Sequence, residues 1–205
     1  PNEISVYSLW QAVSVICIAL FAPMIAYGRS KKNIAVGIFL CTIFIGPLPI
    51  VLRLLEPYVG ISLIPANGSD ALWWILLFHG CLAVTLGSLG FVFIGSMAME
   101  IVEDVEKTTG RREEGLLGTV NAFIHKLVGA GGVLIAGLIV SWAGFDDPNA
   151  TEEMLNGEII NRFAFVHVVL GFCLPIFSTL LVLMFDIDRK VHLENVNDLG
   201  YVEKE

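Results

Sequence analysis

Charge is what this chain has least of. Only 16% of its 205 residues are Asp, Glu, Lys or Arg, and long stretches carry none. A solvated globular surface is thereby excluded, since ordinary soluble domains have about a quarter of their residues charged. Cysteine is sparse as well. Cys17, Cys41, Cys81 and Cys173 all lie in apolar stretches and show no CxxC or other ligand spacing, so neither disulfides nor a metal site is expected. Nothing alternates with period two over about ten residues, which excludes membrane strands. Without a paired nucleophile, a ligand cluster or a phosphate loop, no catalytic residue is assigned and an enzyme is not expected. The net charge of −8 likewise argues against nucleic acid as a partner.

What the chain does have is apolar length. It is 56% hydrophobic, with a mean hydropathy of +0.77. A hydrocarbon core of about 30 Å needs roughly 20 apolar residues of helix. Five runs meet or approach that length: Tyr7 to Tyr27, Ile34 to Leu55, Ala71 to Met99, Leu116 to Phe145 and Phe163 to Phe185. The expected fold is all-α, a polytopic membrane bundle of five transmembrane helices. The third and fourth runs exceed the minimum and should tilt or extend beyond the bilayer.

Orientation follows from lysine and arginine. Arg29, Lys31 and Lys32 lie in the first connection, Lys107, Arg111 and Arg112 in the third, and Arg189, Lys190 and Lys204 in the tail. By the positive-inside rule these three segments are expected on the cytoplasmic side of a plasma (inner) membrane, with the N-terminus outside. Trp10, Trp73 and Trp74 open runs that would start outside, and Trp142 closes one that would end there, as an outer aromatic belt requires. The charged residues then define a cytoplasmic polar hairpin over 100–115 and a cytoplasmic tail over 186–205.

Lys126 is the leading functional candidate. It stands about 16 Å along its helix from Gly115, half the thickness of the apolar core, too deep for easy snorkelling. A lysine at that depth costs roughly 2.5 to 3.5 kcal/mol on insertion scales, and such residues face a water-filled or protein-lined path. No acidic residue lies within the apolar interiors to pair with it. Asn121 and His125 are its possible cavity neighbours. A polar helix contact for Asn121, and packing for His125 and His167, stand beside that reading. In the hairpin, Glu100, Glu103, Glu106, Arg112 and Glu114, with Arg29 opposite, could close an inner mouth by ion pairs that break when it opens. The alternative is an ordinary solvated charge run.

Small residues recur at helical spacing: Ala83, Gly87 and Gly90 in the third run, then Gly129 to Gly132, Ala136 and Gly137 in the fourth. Close helix packing is the expected use. Pro23, Pro175 and the Gly46-Pro47-Leu48-Pro49 stretch each favour a kink, the last most strongly.

The order Glu100, Glu103, Glu106, Thr109-Gly110, Arg112, Glu114-Gly115, then Phe123, Lys126 and a glycine-rich helix, resembles the glycoside-pentoside-hexuronide:cation symporters of the major facilitator superfamily. In that family an acidic stretch ending D-x-x-E-x-x-T-G-x-R-x-E-G links the tenth and eleventh helices, and a lysine of the eleventh contributes to the cation and sugar sites. The resemblance implies that 1–205 is an incomplete C-terminal transmembrane domain, helices eight to twelve of twelve, whose partner is a missing N-terminal half. Glu stands at 100 and 103 where the family commonly has Asp, and the aromatic residues often found in this stretch are absent. The implied function is cation-coupled symport of a small-molecule sugar or glycoside by alternating access, with Na⁺ or H⁺ as coupling ion, no cofactor, and membrane lipid as surroundings. Two alternatives stand beside it: a lipid or lysolipid transporter of the same fold, and a non-transporting membrane scaffold or receptor in which Lys126 is a structural ion-pair member.

Overall fold

The structure, a computed structural model, describes residues 2–145, 155–187 and 189–200; Lys204 lies outside the described residues. The described residues form seven α-helices: α1 (Asn2–Ala26), α2 (Lys31–Ile45), α3 (Leu48–Val59), α4 (Asp70–Thr109), α5 (Glu114–Ala143), α6 (Ile160–Leu183) and α7 (Arg189–Asp198). A single π-helical turn, Leu155–Ile159, leads into α6. Five stretches are long and apolar enough to cross a membrane, α2 and α3 together counting as one. Their outer surfaces carry exposed Leu, Ile, Val and Phe side chains, the pattern of helices whose solvent is lipid.

The second apolar run is interrupted at Gly46–Pro47, where the kink is expected. Pro49 has no N–H to donate to the Ile45 carbonyl four residues back, and α2 ends there. The orphaned oxygen is satisfied from outside: His79 Nε2 on α4 donates to Ile45 O at 2.7 Å. A carbonyl can only accept, so Nε2 carries the proton. Pro47 is fully buried in the break and packs against Gly171 of α6. Pro23 and Pro175, by contrast, are carried inside unbroken helices.

The third run extends well beyond a bilayer. Its 40 residues of α4 reach about 60 Å, twice the hydrocarbon thickness. Ser69 caps one end, its hydroxyl accepting from Leu72 N. Gly110, at φ +68, closes the other in the left-handed conformation, its N–H returning to Glu106 O. The polar segment is therefore mostly helix: Glu100 to Thr109 continue α4, and only residues 110–113 form the turn into α5.

Helices α2 and α4 are the centre. α4 packs against both α1 and α2, and α2 packs against α6 on its other side. Ala22, Ala35, Ile38, Leu89, Phe93, Met97 and Val182 form the buried cluster between them. Small residues set the approach: Ala35 is wholly buried, and a Cβ at Gly90 would stand 3.3 Å from the Phe39 ring. At the opposite end Arg53 holds the α3–α4 connection, donating to Pro65 O at 2.6 Å and Asn67 Oδ1 at 3.0 Å. Its ion-pair partner Glu56 accepts from the N–H groups of Leu63 and Ile64.

Helix α5 stands apart. It touches α6 and, more slightly, α4, and Ala143 is its one buried residue among those described. The expected close packing of its glycines is not found among the described residues, where a Cβ at Gly129, Gly131, Gly132 or Gly137 would meet nothing within 4 Å. Gly87 of α4 is equally open. The tail is structured too: α7 folds back on the polar extension of α4.

Candidate functional site

At the charged end, the helical extension of α4 spaces its acidic residues three and four apart, so Glu100, Glu103 and Asp104 address different neighbours. Glu100 is buried and pairs with Lys31 Nζ at 2.8 Å, tying α4 to the start of α2. Glu103 Oε2 lies 2.8 Å from His192 Nδ1 of α7. Asp104 Oδ1 accepts from Asn195 Nδ2 at 3.0 Å, and Asn195 Oδ1 in turn accepts from Lys107 Nζ. Lys107 also pairs with Asp198 at 2.7 Å. Two more bonds tie the first connection to the end of the fifth run and to the tail: Lys32 Nζ donates to Phe185 O and Arg189 to Gly28 O.

These contacts differ in weight. Removing Lys31 would strand a carboxylate with 6% side-chain exposure, and breaking a buried pair in this way costs about 3–5 kcal/mol. Arg112 bridges Glu106 at 3.3 Å and Glu114 at 3.1 Å. That cluster is largely exposed, and such pairs contribute about 0–1 kcal/mol each. The hairpin trio therefore staples its own turn, while Lys31–Glu100 and the α7 contacts hold separate elements together.

The residues singled out in the sequence fall into three groups. Glu106, Arg112 and Glu114 meet one another within the hairpin, Glu100 meets Lys31, and Glu103 meets the tail. Arg29 reaches none of these carboxylates; among the described residues it has no ion pair, and its side chain lines a cavity between the α1–α2 turn and α7. Asn121, His125 and Lys126 lie on α5, all exposed. Asn121 and His125, four residues apart, share a stripe toward α4, where the His125 ring stands 5.8 Å from that of Phe91. Lys126 is one residue further, about 100° around the helix. It shares its face with Ala122 and Ala130 and has no hydrogen-bond or ion-pair partner among the described residues. The three therefore do not converge on one point. His167 of α6 is exposed.

Sequence reasoning passed over three contributors: His79, and the α7 residues His192 and Asn195. A signal for His79 existed in Pro49, since a proline in an apolar span orphans a carbonyl that some donor must satisfy. For α7 the only hint was Val191, His192 and Asn195 recurring at helical spacing in a short polar segment.

No curated protein and no solved structure matches the chain. A family match does exist, to the MFS/sugar transport protein family, over residues 1–189. With nearly the whole chain matched and five helices fit to cross a bilayer, this integral membrane protein belongs to the MFS/sugar transport protein family, a family of transporters and not of enzymes.

Proposed function

We propose that the chain serves cation-coupled symport of a sugar or glycoside, with Na⁺ or H⁺, by alternating access. The observation that carries this reading is Lys126: an ammonium group halfway along an apolar helix, without a partner among the described residues, flanked on its face by the small Ala122, Gly129 and Ala130 as well as by Phe123. A scaffold that used this lysine structurally would give it a carboxylate. The exposed alanines and glycine beside it leave room for a hydroxylated cargo, to which an ammonium donates charge-assisted hydrogen bonds. The open face of α5 is then the surface on which the other half of such a transporter packs, with the transport path between. His125, leaning on Phe91, fixes how α5 meets α4, and Asn121 lies on the same stripe at the edge of the path.

The charged end is the cytoplasmic gate in this reading, following the lysine and arginine distribution. The Lys31–Glu100 pair and the clasp of α7 on α4 hold it shut, and opening has to exchange them for water or other partners. Lys126→Ala is expected to abolish concentrative uptake of labelled mono- and disaccharides in membrane vesicles while membrane insertion stays intact. Unchanged uptake would remove Lys126 from the mechanism.

A further inference from the structure

Two cavities share Arg29 and Ser30 in their linings. One, about 370 Å³, lies at the charged end among Arg29, Lys31, Arg189, His192 and Glu100. The other, about 580 Å³, is a groove along α2 lined by Ile34, Gly37, Ile38 and Cys41, with Ile25 of α1 and Leu86 of α4 as walls. We infer that the two act as one site and hold one anionic phospholipid, with its phosphate in the charged cavity and an acyl chain in the groove. This lipid is a resident and not a cargo, so the inference stands apart from the transport reading.

Charge and length carry the argument. The charged cavity has three basic side chains and one carboxylate; Lys31 neutralises Glu100, leaving Arg29 and Arg189 in excess. The Arg29 guanidinium has no ion-pair partner among the described residues. Ser30, the N-cap of α2, makes no side-chain capping bond, so the first N–H groups of that helix are left for an anion, which the helix dipole also favours. A soluble anion would need no more than this. The groove is what calls for a lipid: from Ser30 to Cys41 it runs about 16 Å along α2, the depth of one leaflet of a 30 Å core. Its wall passes from Arg29, Ser30 and Asn33 to apolar side chains over that distance, matching an acidic head followed by an acyl chain.

The test is native mass spectrometry of the protein released from nanodiscs containing equal parts phosphatidylglycerol and phosphatidylcholine, with thermal melting of each variant as control. The expected result is one retained lipid, predominantly phosphatidylglycerol. Each basic group near an anionic headgroup favours it about fivefold, so Arg29→Gln should lower the preference about fivefold and the R29Q/R189Q pair roughly twenty-five-fold. Gly37 has open space around it, so Gly37→Leu should fill the groove without clash and reduce retention of both lipids. Arg29→Gln removes no contact made by that side chain among the described residues, and so keeps the test valid if the double variant fails to fold. An unchanged preference in Arg29→Gln would overturn the inference. So would retention indifferent to Gly37→Leu, or displacement of the lipid by millimolar inorganic phosphate, which would mark a soluble-anion site.

Discussion

Helices α2 and α5 are both apolar, both carry glycine and both begin at a cluster of charges, yet they are used in opposite ways. α2 is packed on two sides, against α4 and α6. Its Ala35 is wholly buried and its Lys31 is locked to a buried glutamate. α5 is longer and richer in glycine, but Ala143 alone of its described residues is buried, and its lysine has no partner among them. Small residues therefore have two meanings in this fold. At Ala35 and Gly90 they let helices approach; at Gly129 to Gly132 they keep a face shallow. Membrane helices gain little from apolar contact with one another, because lipid is as apolar as they are. A small-residue stripe with no helix against it among the described residues is, in the proposed transporter, left for the transport path and for the half that packs beyond it.

That contrast can be broken at several points. The largest effect is expected at Lys31. Lys31→Ala strands Glu100 and should destabilise the detergent-solubilised protein by about 3–5 kcal/mol; the double variant K31A/E100A should recover most of it in the same unfolding measurement. A double variant no better than the single would show that the pair is not coupled. Next comes the same kind of enlargement on the two helices. Ala35→Leu overfills the buried cluster around α2 and should cost about 1–3 kcal/mol, whereas Gly132→Leu on α5 should stay within about 0.5 kcal/mol in stability. Equal losses would mean that α5 is packed after all. His79→Ala leaves the Ile45 carbonyl unpaired, and about 1–3 kcal/mol is expected, with hydrogen exchange rising around 45–49. Smallest is Arg112→Ala, whose exposed pairs predict a change of about 0–1 kcal/mol.

Much of this architecture is legible in the amino-acid sequence. Apolar runs of about 20 residues name the spans because a helix is the cheapest way to satisfy backbone groups in lipid. The break at Gly46–Pro47 could be read as a bend, though two prolines so close remove enough donors to end the helix outright. Polar character at Glu100 to Thr109 suggested a loop, but helix formation does not stop at the membrane surface. Acidic and basic residues three and four apart continue α4 until Gly110 turns it. Packing faces were the illegible part. A helix apolar all round has no stripe to mark its neighbours, so the glycines of α4 and those of α5 read alike although only the former include close contacts. The docking of α7 was hidden for a related reason: Asn195 and His192 acquire meaning only from Asp104, Lys107 and Glu103, about 90 residues upstream in the chain.

The water accessibility of position 126 tests the central claim most directly. In a variant whose four native cysteines are replaced by serine, Lys126→Cys should react with a charged, membrane-impermeant thiol reagent, and a transported sugar should slow that reaction. A cysteine there that ignores the charged reagent yet reacts with a lipid-soluble maleimide would place the side chain in the hydrocarbon, and α5 would line no path.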